Sequence, residues 1–254
     1  MFLPRIIPLL LLKNNSLIKT KKFKESKYIG DPINAVKLFN DLLADELIFI
    51  DLDASYVRKE ISYDIIEKIC GEAFMPIAIG GGIKKMNQIE KLIKIGSEKV
   101  VINSSVVKNM IFIKEISESF GTQSLIISID IKKKYLGKYS VWIENGKKDT
   151  KINPTEYAKR VEEHGAGEII IHSIEHDGMM NGYDLKITKE VSNSVNIPVI
   201  ACGGAGNYEH LKSAYFVSNA NALAAGSMFV FHGQRKAVLI NYPSRKEKEE
   251  IFKI

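Results

Sequence analysis

The sequence predicts an α/β fold of one particular kind, a (β/α)8 TIM barrel built from two duplicated half-barrels. Three observations point to it. Eight short, β-rich runs are apolar on both faces, as parallel strands covered by helices must be. They alternate with longer amphipathic stretches from end to end, the pattern of repeated strand–helix units. Three stretches also recur at an offset close to 120 residues, near half of the 254, and a repeat of that length is a copied supersecondary unit. One such barrel takes about 250 residues.

In chain order, strands are expected at Arg5–Leu12, Glu46–Asp51, Pro76–Gly80, Lys99–Ile102, Ser124–Asp130, Glu168–His172, Pro198–Cys202 and Ala222–Ala225. Between the first two, Ile33–Leu43 places Val36, Phe39, Leu42 and Leu43 at helical spacing. Lys85–Ile95 does the same with Ile89, Leu92 and Ile93, and Gly96 is its expected C-terminal stop. Pro154–Glu163 opens on Asn153 as N-cap and a proline in the first turn. The polar stretch around Gly137 and Gly146, carrying Trp142, reads as a hairpin inserted after the fifth strand. The Lys13–Tyr28 stretch reads as a loop in the equivalent place after the first.

The repeat aligns Ile6–Lys13 with Leu125–Lys132, Gly80-Gly81-Gly82-Ile83 with Gly203-Gly204-Ala205-Gly206, and Val101–Ser105 with Ala224–Ser227. It implies half-barrels of about 1–122 and 123–254 within a single domain, 1–254. The net charge of +6 favours anionic partners. Lysines crowd two stretches, around Lys13–Lys27 and at Lys132, Lys133, Lys134 and Lys138. Such runs are commonly solvated surface, and no basic surface interleaved with aromatics accompanies them, so nucleic acid is not the expected partner. With only Cys70 and Cys202, no disulfide framework is implied. The apolar run Ile6–Leu12 is too short to span a membrane, and a cytoplasmic protein with no membrane contact is expected.

Barrels of this kind carry their chemistry at the C-terminal ends of the strands. Gly81 and Gly82 after strand three, and Gly203 and Gly204 after strand seven, allow backbone amides to approach an anion closely. Asn103 and Ser104 end strand four, and Gly226 and Ser227 end strand eight, beside those turns. Two anion grips on opposite sides imply a substrate with two phosphates. Among carboxylates at strand ends, Asp130 is the strongest candidate for acid–base work, with Asp51 and Asp177, the latter followed by Gly178, as further site residues. Histidines are scattered; His172 and His176 share a strand end. No spacing suggests a metal site, and neither cysteine has a histidine–carboxylate pattern of a nucleophile, so no metal, cofactor or covalent step is expected. At the opposite barrel end, Arg5, Glu46, Lys99 and Glu168 each begin a strand. Two cations alternating with two anions would make a plug for the central pore.

These residues together resemble the cyclase subunit of imidazole glycerol phosphate synthase, over the chain to about Phe231. The matching motifs are Arg5-Ile6-Ile7, Lys19, Gly30-Asp31-Pro32, Asp45-Glu46-Leu47, Gly80-Gly81-Gly82-Ile83 and Lys99-Val100 in the first half. In the second they are Ser128-Ile129-Asp130, Gly165-Ala166-Gly167-Glu168-Ile169, Asp177-Gly178, Gly182-Tyr183-Asp184 and Gly203-Gly204-Ala205-Gly206. The resemblance implies a lyase-type cyclisation. A glutaminase subunit would dock on the N-terminal barrel face and release ammonia, which passes the Arg5, Glu46, Lys99, Glu168 gate. The ammonia would attack a bisphosphorylated ribulose-type substrate, giving imidazole glycerol phosphate and an aminoimidazole carboxamide ribotide. It also implies Lys19 as a substrate contact and two acid–base aspartates, at the ends of strands one and five.

Asp130 matches the second aspartate, whereas Leu11 stands where the first is expected. The first loop, Lys13-Asn14-Asn15-Ser16 and Lys19-Thr20-Lys21-Lys22, lacks the family's glycines, and Phe231–Pro243 is unlike the family's usual last helix. These departures resemble a paralogous branch that serves acetamidino-sugar formation in bacterial surface polysaccharides. Two alternatives remain open on sequence: a histidine-pathway cyclase with an unusual first strand, and a non-catalytic phosphate-binding scaffold for a glutaminase.

Overall fold

The computed structural model describes residues 3–56, 60–134 and 137–253. In chain order its strands and helices are β1 (Arg5–Lys13), β2 (Ser16–Lys21), β3 (Glu25–Gly30), α1 (Pro32–Asp41), β4 (Leu47–Asp51), α2 (Leu52–Tyr56), α3 (Tyr63–Glu72), β5 (Ile77–Gly80), α4 (Met86–Lys94), β6 (Lys99–Ile102), α5 (Ser104–Lys108), α6 (Ile111–Phe120) and β7 (Leu125–Lys133). There follow β8 (Tyr139–Ile143), β9 (Lys148–Asp149), α7 (Pro154–Glu163), β10 (Glu168–Ser173), α8 (Leu185–Ser192), β11 (Val199–Cys202), α9 (Tyr208–Ser218), β12 (Ala222–Ala225), α10 (Ser227–Val230), β13 (Phe231–His232), β14 (Ala237–Val238) and α11 (Arg245–Ile251).

Eight parallel strands close on themselves in the order β1, β4, β5, β6, β7, β10, β11, β12. The seam is β12 against β1, with Arg5 opposite Ala222 and Pro8 opposite Ala225. Alternation along each strand explains why both faces read as apolar. Ile7, Leu9 and Leu11 of β1 point into the barrel with Ile48, Ala78, Val101, Ile126, Ile170, Ile200 and Ala222. The residues between them, such as Ile6, Leu10, Phe49, Ile79 and Ile127, pack outward beneath the helices. The expected barrel strands are all present, with ends shifted by a few residues. The expected caps form too: Asn153 Oδ1 accepts from the Thr155 and Glu156 amides, and Asp31 accepts from Asn34 at the start of α1.

One expectation is corrected. Lys13–Tyr28 is not a loop but two antiparallel strands that extend the sheet from β1, with Leu11 opposite Ile18 and Lys19 opposite Lys27. Leu17, Ile18, Lys19 and Thr20, consecutive in β2, are all buried, so both faces of this strand are covered. The insertion after the fifth barrel strand is likewise a hairpin, β8 and β9.

The chain's end is stitched to its start. The Tyr242 hydroxyl donates to the Ile6 carbonyl at 2.7 Å and accepts from the Asp45 amide at 3.1 Å. Asp45 in turn accepts from the Ile6 amide and from Lys248 of α11. A Ser244–Glu247 capping box starts that helix. Removing the hydroxyl leaves two buried backbone groups short of a partner. Tyr242→Phe is therefore expected to lower stability in urea denaturation by roughly 1–3 kcal/mol; an unchanged midpoint would contradict this role.

Candidate functional site

At the C-terminal rim, strand ends from both sides of the seam form a small, partly enclosed cleft. It brings together seven of the residues singled out in the sequence: Lys19, Asp177, Gly178, Gly203, Gly204, Gly226 and Ser227. Gly204 adopts φ +113°, and a Cβ there would lie 2.0 Å from the Gly182 carbonyl oxygen. A Cβ on Gly226 would lie 1.7 Å from Lys19 Nζ. Both positions require glycine, one for the turn and the other to admit the lysine.

Strand β2 carries Lys19 back over the barrel, where its buried ammonium donates to the Leu9 carbonyl at 3.1 Å. Burial pulls that ammonium below its ordinary value, and the Asp177 carboxylate opposes the shift. Asp177 Oδ2 accepts from Thr20 Oγ1 at 2.8 Å and from the Phe23 amide at 3.2 Å, while the Asp177 carbonyl accepts from the Lys22 amide. Burial alone would raise the Asp177 carboxyl, but His172, Lys19 and Thr20 hold it below the usual range. One carboxylate thus latches the β2–β3 hairpin onto the rim, and Phe23 at the turn lies edge-on to the His172 ring, centroids 4.8 Å apart.

Asp130 ends the inward-facing row of β7 and is 6% exposed. Burial pushes its carboxyl up to about 6, with His172 and a hydrogen bond from Asn103 acting in the opposite sense. Asn103 therefore faces the acid–base candidate. His172 lies between two carboxylates, its Nδ1 3.9 Å from Asp130 and its Nε2 3.7 Å from Asp177. It stands opposite Cys202 in the pairing of β10 with β11. Burial disfavours the imidazolium, yet Cys202 and Asp177 outweigh it, and the group stands well above its ordinary value. The two residues lie 30 positions apart, but β10 and β11 pair His172 directly with Cys202. Each is the polar end of an otherwise apolar strand, the rule that singled out Asp130 and that would have found this pair.

The other glycine turn is arranged differently. Gly81 and Gly82 have φ +114° and +64°, and a Cβ on either would strike the backbone of Asp51 or Ala54. Ser104 Oγ accepts from the Glu144 amide at 3.0 Å, so the β8–β9 turn rests on this side of the rim. Asp51 is committed to backbone: Oδ1 accepts from the Asp53 and Ala54 amides and Oδ2 from Ser62.

At the opposite mouth the four charged strand starts meet in a closed ring. Arg5 bonds Glu46 through Nη1 and Glu168 through Nη2, the latter at 2.5 Å. Lys99 Nζ reaches Glu168 at 2.7 Å and Glu46 at 3.1 Å. Each carboxylate is shared by two cations, which offsets the desolvation of partly buried charge. Burial would raise Glu168, but Arg5 and Lys99 hold it below the usual range.

A barrel with a charged ring at one mouth and glycine turns at the other can be compared with known proteins. The profile of the histidine biosynthesis protein family matches residues 5–235. The chain belongs to that family. A Pseudomonas aeruginosa protein provisionally named imidazole glycerol phosphate synthase subunit hisF2 is 48% identical over 239 residues, 94% of this chain and 95% of its own. A Leptospira borgpetersenii protein provisionally named as the HisF subunit is 44% identical over 253 residues, 99% of this chain and 100% of its own. The HisF subunit of that synthase in Alkaliphilus metalliredigens is 39% identical over 232 residues, 91% of this chain and 92% of its own.

The Leu11 side chain is in the barrel interior with Leu9 and Ile18, all buried. The ionisable groups of the rim, Asp130, His172, Asp177 and Lys19, have an apolar flank formed by this end of β1.

The raised Asp130 carboxyl has a consequence for stability. Folding moves it from about 4 to about 6, so the folded chain favours the protonated acid. That stabilisation is complete below about pH 4 and is lost as pH rises through about 6. Asp130→Asn cannot ionise, so at about pH 7.5 it is expected to be more resistant to urea than the unaltered chain, by roughly 1–3 kcal/mol, with little difference near pH 4. Equal effects at the two pH values would contradict the burial argument.

Proposed function

We propose that this chain is the ammonia-using barrel subunit of a glutamine-dependent amidotransferase complex, a cyclase of the imidazole glycerol phosphate synthase type. The observation that carries the reading is the charged ring of Arg5, Glu46, Lys99 and Glu168 on the barrel axis, opposite the rim cleft. A ring of matched charges excludes ions, whereas a small neutral base can pass when one ion pair opens. The glutaminase would sit on that N-terminal face. Leu43 and Phe74, in the loops after α1 and α3 that lead back to it, are 80% and 88% exposed, which supports a partner there. The duplicated half-barrels would each contribute one anion grip, Gly81, Gly82 and Ser104 on one side and Gly203, Gly204, Gly226 and Ser227 on the other, for a bisphosphorylated ribulose-type substrate. Asp130 is the acid–base group, and its value near 6 lets it both take and return a proton near neutrality.

The finer part of the proposal is that the chain has diverged to serve acetamidino-sugar formation. The support is Leu11, which cannot exchange a proton and sits where the resemblance implies the second acid–base aspartate. The loss of one such group typically lowers a rate about 10²–10⁴-fold. The purified chain, given ammonium salt and the histidine-pathway bisphosphate, is expected to release aminoimidazole carboxamide ribotide that much more slowly than a relative with both aspartates. Leu11→Asp is expected to restore part of the rate. Turnover by the unaltered chain at the two-aspartate rate would favour the histidine-pathway reading. No turnover by either, with acetamidino modification in cells unchanged by Asp130→Asn, would leave the non-catalytic scaffold.

A further inference from the structure

Adding ammonia to a carbonyl carbon requires one proton delivered to the substrate oxygen and another removed from the attacking nitrogen. Both exchanges must happen at the rim. The end of β1 offers neither, because Leu9, Leu11 and Ile18 make that flank apolar. The other flank carries Lys19 from β2, Asp130 from β7, His172 from β10 and Asp177 from the turn that follows, with Cys202 of β11 opposite His172. Two of these are already committed. Lys19 Nζ donates to the Leu9 carbonyl, and Asp177 Oδ2 accepts from Thr20 Oγ1 and the Phe23 amide. Asp130 and His172 remain for proton exchange. They end neighbouring strands and stand opposite each other in the pairing of β7 with β10. The His172 ring lies between carboxylates, Nδ1 3.9 Å from Asp130 and Nε2 3.7 Å from Asp177, both ion-pair distances. Phe23 packs edge-on against the ring, and the ring itself lines the cleft beside Gly203, Gly204 and Ser227.

We propose that His172 is the general acid of this site and that Asp130 is its base, an acid–base pair on one flank that works without a carboxylate on β1. The inference rests on the cyclase reading for its reaction. The two settings are complementary near neutrality: His172 stands well above its ordinary value, and Asp130 lies at about 6. The first is then an imidazolium and the second mostly a carboxylate, the division of labour an acid–base pair needs. In the first step the ammonia lone pair forms the C–N bond, and the π pair of the substrate ketone moves onto oxygen. That oxygen takes the imidazolium proton, and the new ammonium nitrogen gives a proton to Asp130. In the second step the nitrogen lone pair forms the C=N bond and the C–O bond breaks. The departing hydroxyl takes the proton from Asp130 and leaves as water, and the iminium gives a proton to His172. Both residues return to their starting states.

Steady-state turnover of the full-length protein tests the pair. The substrates are ammonium salt and the histidine-pathway bisphosphate, with free ammonia held constant across pH. Either His172→Gln or His172→Asn, whichever keeps the native circular dichroism, is expected to lower kcat at least about 100-fold. KM is expected to stay within about threefold, because the anion grips are untouched. The unaltered chain is expected to lose rate toward high pH as His172 gives up its proton, and the variant's residual rate is expected to lack that alkaline limb. Leu11→Asp puts a carboxyl on the apolar flank. In that background the same His172 substitution is expected to cost below about 10-fold, whereas a purely structural loss would cost the same in both backgrounds. Equal costs in the two backgrounds, an unchanged kcat, or an alkaline limb that persists in the variant overturns the pair and leaves the cyclase reading standing. If neither variant folds, the unaltered chain decides, and a rate that does not fall toward high pH overturns the pair. Turnover by Leu11→Asp alone overturns it too, because His172 then cannot carry the reaction. No turnover by either chain overturns the cyclase reading and the pair together.

Discussion

Lys19 is an ammonium with almost no contact with water, and a buried cation is tolerated only where a counter-charge and hydrogen bonds replace its hydration. Asp177 supplies the charge and the Leu9 carbonyl the bond. Much of the rim follows from that arrangement. To hold Lys19 there, β2 must fold back against β1, and Asp177 fixes the fold-back by accepting from Thr20 and Phe23. The same carboxylate faces His172, which moderates Asp130. Gly226 is then needed because any side chain would occupy the space of the lysine. Hairpin, cation, imidazole and acid–base carboxylate form one electrostatic unit, and altering any member changes the ionisation of the rest.

The two ends of the barrel solve the same problem in different ways. At the N-terminal mouth two cations and two carboxylates balance within one ring, leaving no surplus charge to attract an ion. The rim cleft is less closed: its donors are backbone amides at glycine turns, a serine hydroxyl and the Lys19 ammonium, all suited to an anion. Between the two lies an interior of aliphatic and small side chains, Ile7, Ile48, Ala78, Ala222 and Ala224 among them. Such a lining offers no partner to an ion, which suits the proposed passage of neutral ammonia.

The barrel was legible in the sequence because its strands are apolar on both faces and their ends are marked by glycine, serine or aspartate. The charged ring was legible because four strands begin on a charge. Two parts were not. Lys13–Tyr28 carries so many lysines that it reads as solvated, whereas pairing with the extended end of β1 buries Leu17, Ile18, Lys19 and Thr20. The placing of His172 opposite Cys202 depends on two strands pairing, which no spacing along the chain reveals. Asp51 illustrates the converse: a carboxylate at a strand end looks available, but α2 starts at once and its first amides need acceptors. Asp51 meets that need.

In the proposed function, two anion grips face each other across a rim whose ionisable side is Asp130, His172 and Asp177. A crystal structure of the chain with the histidine-pathway bisphosphate bound tests it most directly. One phosphate is expected against Gly204, Ser227 and Lys19. The other is expected at Gly82 and Ser104, with the Glu144 amide displaced from the Ser104 hydroxyl and the sugar chain between them within reach of Asp130. A ligand bound outside the rim, or one with neither phosphate at a glycine turn, would contradict the account.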